Sequence, residues 1–172
     1  MLPLRTILLR SSQFLADHDV PSPRFEAEQI LAHCLGMSRL DLYLQMDKPL
    51  EESELQMLRP ILKRRGNREP LAWILGSKGF YDDDFAVRPG VLCPRPDTET
   101  LVEVALTQIP EHSEEPFFVA DIGSGSGCIG LSLAKKRPNV RLFAVDISPD
   151  AIECTKENVL NLGLTDRVAV LK

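Results

Sequence analysis

Apolar positions in the first part of the chain recur at helical spacing. Leu4, Ile7, Leu8, Phe14 and Leu15 fall on one stripe and predict a helix ending near His18-Asp19. Ser22 then reads as an N-cap with Pro23 at the first helical position, where a missing N–H costs nothing. Phe25, Ile30, Leu31 and Leu35 are the expected buried side of that second helix, and Gly36 its stop. Ser38 with Asp41 predicts a capping box for a short third helix through Tyr43-Leu44, with Asp in place of the usual Glu or Gln. Met46-Asp47-Lys48-Pro49 reads as a turn. A fourth helix is expected over about residues 51–65, with Leu55, Leu58, Ile61 and Leu62 inward and a kink or split at Pro60. Pro70 opens a short helical segment over residues 71–75, stopped by Gly76, with Trp73 in a core or interface.

The period then changes. Phe80-Tyr81 and Phe85-Ala86-Val87 are β-like runs around Asp82-Asp83-Asp84, which predicts a hairpin with solvated acids at its turn rather than a metal site. Arg88-Pro89-Gly90 is a further turn. Cys93-Pro94-Arg95-Pro96-Asp97-Thr98-Glu99 is rigid and polar, and reads both as a cap (by Asp97 or Thr98) and as a pocket wall. The helix after it carries Leu101, Val102, Ala105, Leu106 and Ile109. Residues 109–116 are an acidic surface linker with His112 exposed. Strands are expected over 117–122, 140–145 and 168–171, with helices after Gly127 and from the Ser148 cap, Pro149 first, through Ile152, Val159 and Leu160 to Gly163. The fold class is α/β: a helical bundle over 1–76, a linking hairpin over 77–95, and the first half of a Rossmann-like domain over 96–172.

The candidate chemistry sits where the first of these strands ends. Asp121-Ile122-Gly123-Ser124-Gly125-Ser126-Gly127 joins an apolar run to a helix, and glycines there let a ligand approach the backbone. Gly125-Ser126-Gly127-Cys128-Ile129-Gly130 fits the dinucleotide pattern G-x-G-x-x-G, and Asp146, at the tip of the next strand, is placed to accept from ribose hydroxyls. Asp121 separates two cofactor classes. In a dinucleotide site its position faces pyrophosphate, which an acid repels, whereas an acid suits a ligand that carries a cation, such as the ammonium of S-adenosylmethionine. The candidate cofactor-binding residues are therefore Asp121, Gly123, Ser124, Gly125, Ser126, Gly127 and Asp146. A tight strand–helix turn without a ligand does not need three alternating glycines.

Composition adds exclusions. The net charge is −5, with ten basic and ten acidic residues over 1–75 and ten basic and fifteen acidic over 76–172, so no general attraction to nucleic acid is indicated. Cys34, Cys93, Cys128 and Cys154 form no C-x-x-C pair and do not cluster with histidines, which argues against zinc and for reduced thiols in a cytoplasmic setting. No apolar run approaches membrane-spanning length. Arg5, Arg10, Ser11 and Ser12 fit a bundle helix better than a transit peptide. Lys63, Arg64, Arg65 and Arg68 read as solvated cations at a helix C-terminus rather than as a nucleic-acid patch.

Several stretches together resemble the release-factor glutamine N5-methyltransferases, the PrmC/HemK family. They are Ser22-Pro23-Arg24, Leu31-Ala32-His33, Leu35-Gly36, Arg68-Glu69-Pro70-Leu71-Ala72, Ile74-Leu75-Gly76, Pro94-Arg95-Pro96-Asp97-Thr98-Glu99, residues 121–127, Ala144-Val145-Asp146 and Ser148-Pro149-Asp150-Ala151. The resemblance implies a helical domain that helps recognise a protein substrate, and an S-adenosylmethionine-dependent transferase domain. The implied reaction methylates the amide of the Gly-Gly-Gln glutamine in peptide-chain release factors, in translation termination. It further implies that residues 123–127 line the cofactor, Asp146 holds ribose and Asp121 lies near the methionine end. The family's Asn-Pro-Pro-Tyr motif does not occur among these residues, so the chain reads as a fragment that is inactive alone and self-associates, with one apolar helix face uncovered. The rival readings are an NAD(P)-dependent oxidoreductase and a non-catalytic interaction module.

Overall fold

The computed structural model describes residues 1–111 and 113–172, so the expectation for His112 lies outside the described residues. The chain divides into two compact units, Met1–Leu75 and Gly76–Lys172. The hairpin expected to link two domains belongs to the second unit.

The first unit is helical: α1 (Leu4–Asp17), α2 (Pro23–Leu35), α3 (Arg39–Leu44), α4 (Glu52–Gly66) and α5 (Leu71–Leu75). Its core gathers Leu4, Leu15, Ile30, Leu31, Leu42 and Leu50, and the helical stripe of α1 read from the sequence points into it. The Ser38–Asp41 capping box forms, with the Ser38 hydroxyl accepting from the Asp41 N–H at 3.1 Å. Ser22 holds the N-cap position of α2, but at φ +52° and without a side-chain bond to the helix.

Three expectations here are corrected. Phe25 is not buried but 45% exposed, and its ring lies 4.5 Å from the Arg39 guanidinium. The helix α4 runs unbroken through Pro60. Proline removes one bond, that to the Gln56 carbonyl, and Leu55, Leu58, Ile61 and Leu62 hold both sides of the gap against the core. Arg65 is not a solvated cation. It pairs with Glu26 and donates to the Glu69 carbonyl at 3.0 Å, while Arg64 pairs with the Glu69 carboxylate. Such charge-assisted bonds give this cluster a structural role.

The second unit opens with the antiparallel hairpin β1 (Ser77–Phe80) and β2 (Asp83–Ala86), turning at Tyr81-Asp82 with Tyr81 at φ +56°. Asp82 and Asp84 are exposed, as expected, but two of the three acids also form ion pairs. Asp82 pairs with Lys136 and Asp83 with Lys135. A 3-10 turn (Pro96–Thr98) leads into α6 (Glu99–Gln108). Neither Asp97 nor Thr98 caps this helix through its side chain. Glu99 instead accepts the Tyr81 N–H at 3.0 Å.

A three-stranded parallel sheet follows, in the order β3 (Phe117–Ile122), β4 (Val140–Val145), β5 (Val168–Leu171). Phe117 pairs with Val140 and Ile122 with Val145, so β3 and β4 end level. The crossover helices are α7 (Cys128–Lys136) and α8 (Pro149–Asn161). Right-handed crossovers that step across a sheet in one direction lie on the same face. Val140, Leu142 and Ala144 are accordingly buried on that face. On the other face Phe118 and Ile122 are 65% and 76% exposed, and the Phe118 ring stacks on Phe143 at 6.3 Å. The largest uncovered apolar surface is thus a sheet face, and Leu101 and Val104 of α6 and Leu160 of α8 are exposed as well. The α/β class with a helical first part stands.

Candidate functional site

Because β3 and β4 end level, Asp121 near one tip and Asp146 just past the other flank the same loop. Ligands in open parallel sheets bind beyond the carboxyl ends of the strands, where this loop lies. Gly123, Gly125 and Gly127 have φ of +79°, +60° and +78°. The alternation folds the loop back over the β4 tip, and the N–H groups of Gly123 and Ser124 both donate to the Val145 carbonyl, at 2.8 and 3.0 Å. A Cβ built on Gly123 or Gly125 meets nothing within 4 Å, so open space lies in front of both.

Asp146 fixes the loop from below. One carboxylate oxygen accepts from the Gly125 N–H at 2.9 Å and the other from the Ser148 N–H at 2.9 Å. The Ser148 hydroxyl in turn caps α8. Two backbone donors hold the acid in one orientation and leave lone pairs for further donors.

Asp121 serves the start of α7. The first N–H groups of a helix have no intrahelical partner, and Gly130 gives its N–H to the Asp121 carboxylate at 3.1 Å. This close approach requires glycine. A Cβ at Gly130 would lie 2.9 Å from the Asp121 carboxylate and from both Leu142 methyls. Desolvation raises the pKa of Asp121, the Gly130 N–H lowers it, and the charge of Asp146 raises it again, for a net upward shift. The site therefore holds two carboxylates, one of them poorly solvated, which a cationic group relieves and an anionic one aggravates. The Ser124 hydroxyl is buried in the loop with no hydrogen-bond partner among the described residues. Open space before Gly123 and Gly125, an unpaired hydroxyl and an under-solvated acid fit a polar ligand with a positive end. All seven candidate residues read from the sequence lie in this loop or at the two strand ends.

Sequence reasoning missed the support behind the loop. On the buried face of α8, Thr155 donates to the Gly125 carbonyl at 3.0 Å and Asn158 to the Ser126 carbonyl at 2.8 Å. Asn158 also exchanges two bonds with the backbone of Ala86 in β2, and Cys154 donates to the same Ala86 carbonyl at 3.1 Å. The available signal was polar Thr and Asn at helical spacing with Ala151, Cys154 and Val159, on the face that packs inward. Among the described residues no group of three or more His, Cys, Asp or Glu is placed to hold a metal ion. No described helix is long and apolar enough to cross a membrane.

A parallel α/β sheet with an acid-flanked glycine loop at its carboxyl end is the architecture of the methyltransferases and of the dinucleotide enzymes, and the half-buried Asp121 favours the former. Comparison with known families agrees. Residues 6–76 match the PrmC N-terminal domain and residues 85–171 the methyltransferase small domain, so the chain belongs to the methyltransferase small-domain family with a PrmC-type helical domain before it. It is 43% identical to the release factor glutamine methyltransferase of Geobacter sulfurreducens over 93% of this chain and 55% of that protein. Identity to the protein of the same name from Rhodopirellula baltica is 42%, over 94% and 55% respectively. With that of Escherichia coli it is 38%, over 83% and 50%. The family resemblance read from the motifs is thus shown, and the chain spans about half the length of the curated relatives it matches.

Proposed function

We propose that the protein transfers the methyl group of S-adenosylmethionine to the side-chain amide nitrogen of the Gly-Gly-Gln glutamine in peptide-chain release factors, in the cytoplasm. The observation that carries the cofactor half is the raised pKa of Asp121 beside open glycine backbone. A ligand cation near Asp121 is stabilised there, whereas the pyrophosphate of a nicotinamide cofactor is repelled. Relatives that bear the name support the substrate half.

In this reading Asp146 accepts from the ribose hydroxyls while its bonds to Gly125 and Ser148 keep it oriented. Residues 123–127 let the ligand lie against the backbone, Ser124 gives its hydroxyl to a ligand polar atom, and Asp121 faces the ammonium end. When bound, S-adenosylmethionine supplies an electrophilic methyl on a sulfonium. An amide nitrogen is a weak nucleophile because its lone pair is delocalised, so this chain's contribution is orientation and a fixed electrostatic environment, without a covalent intermediate. The test incubates the full-length protein with isotopically labelled S-adenosylmethionine and a release factor, then maps the label by peptide mass spectrometry. Label on the Gly-Gly-Gln glutamine supports the proposal, and no label, or label elsewhere, rejects it.

A further inference from the structure

Helices α1 and α4 do not close fully on each other. Between them lies a groove of about 600 Å³, floored by Ile7, Phe14, Leu55, Leu58 and Leu62. Ile7 and Phe14 are seven residues apart on α1, as are Leu55 and Leu62 on α4. At 1.5 Å per residue each wall runs for about 10 Å, roughly two helical turns.

The rim is charged with one sign. Arg10, Arg59 and Lys63 line the groove and no carboxylate does. Arg59 is neutralised by Glu52, but Arg10 and Lys63 have no ion-pair partner among the described residues. This contrasts with Arg64 and Arg65, the next two residues of α4, which are both paired. An apolar floor with unneutralised cations on its edge calls for an occupant with an apolar stripe and flanking acids.

We infer that the α1–α4 groove receives an amphipathic helix of the protein substrate, with apolar side chains at i, i+3 or i+4 and i+7 on the floor and carboxylates against Arg10 and Lys63. This rests on the proposed release-factor substrate and adds where the helical unit holds it. Charged rim contacts act mainly on association and its salt dependence, and the apolar floor on retention.

The test measures binding of a release factor to the full protein by fluorescence anisotropy, for the wild type, the double variant Arg10→Glu/Lys63→Glu, and Leu62→Glu. The Kd is expected to rise ~tenfold or more in both variants, and the salt dependence to shrink in the charge-reversal one. Far-ultraviolet circular dichroism and the thermal unfolding of the helical unit, read in parallel, stay at the wild-type values and show that the variants are folded. Release-factor affinity within twofold of wild type in the charge-reversal variant overturns the inference (~0.4 kcal/mol or less). So does a wild type that does not bind the release factor, or a groove-mediated dimer whose loss leaves substrate binding intact. Failure of the proposed reaction reads out separately, as absence of label on the glutamine in the methyl-transfer assay.

Discussion

Asn158 donates its side-chain amide to the backbone carbonyl of Ser126 at 2.8 Å, from a position only 1% exposed. The same carboxamide accepts the Ala86 N–H at 2.7 Å and donates to the Ala86 carbonyl at 3.0 Å. One side chain therefore ties the glycine loop to the hairpin. Replacing it with Ala leaves the Ala86 N–H and the Ser126 carbonyl without this partner, while the Ala86 carbonyl keeps the Cys154 thiol, and a buried polar group so stranded costs about 1–3 kcal/mol. Asn158→Ala should destabilise the second unit by about 2–4 kcal/mol in denaturant unfolding and weaken cofactor binding. Asn158→Asp keeps the acceptor but sets a carboxylate against two carbonyls, and is expected to be no better. Wild-type stability in both variants contradicts this role.

The glycines of the loop separate into two kinds. Gly125 faces open space at φ +60°, whereas a Cβ on Gly127 would lie 2.9 Å from Leu131 and from Thr155. Gly125→Val should abolish S-adenosylmethionine binding at a stability cost of about 1–2 kcal/mol for the left-handed backbone. Gly127→Ala carries the same backbone cost plus a clash with the core, so it should lower stability more. Thermal unfolding alongside a binding titration distinguishes them, and reversed rankings would show that the loop faces the other way.

If Asp121 faces the cofactor's cation as proposed, cofactor affinity should depend on pH. Burial has raised its pKa above the ordinary carboxylate value. The stability this contributes is full below the unfolded pKa and is lost as pH rises through the folded one. A bound cation favours the carboxylate, so affinity should increase as pH rises through the raised pKa and then level off. Because the shift is upward, the window begins above the ordinary carboxylate range. Asp121→Asn should bind weakly and without this slope. Parallel pH profiles for the two proteins in this window contradict the assignment.

In the helical unit Glu28 is 2% exposed and accepts from Tyr43 at 2.5 Å, Arg39 at 2.6 Å and Arg24 at 3.3 Å. Burial alone raises its pKa, and the three donors together outweigh it and bring the pKa below the usual value. Its stabilisation is therefore present above the unfolded pKa and lost as pH falls through the folded one. Glu28→Gln is expected to cost about 1–3 kcal/mol near neutral pH and to flatten the acid limb of the unfolding curve. An unchanged acid limb would show that the cluster is decorative.

Much of this was legible because periodicity and punctuation agree locally. Gly36, Ser38-Asp41, Pro70 and Ser148-Pro149 mark element ends wherever neighbouring residues alone decide them. Asp121, the glycines and Asp146 were legible because a strand–loop–helix motif is contiguous in sequence. What was not legible depends on partners far along the chain. Phe25 looked like a core residue until Arg39 took its ring at the surface. Asp82 and Asp83 looked solvated until Lys136 and Lys135 met them from α7. Pro60 looked like a break because local strain is visible in sequence and the packing that overrides it is not. Asn158 looked like an ordinary helix position, since its three bonds reach residues 32 and 72 positions away.

The claim on which the rest depends is that the loop between Asp121 and Asp146 holds S-adenosylmethionine. Isothermal titration of the protein with S-adenosylmethionine and, separately, with NAD tests it directly, using Asp146→Ala as the comparison. The expected result is saturable binding of S-adenosylmethionine, no binding of NAD, and a loss of about 1.5–3 kcal/mol in the variant, the worth of hydrogen bonds to a charged acceptor. Saturable NAD binding, or S-adenosylmethionine affinity unchanged by Asp146→Ala, would contradict it.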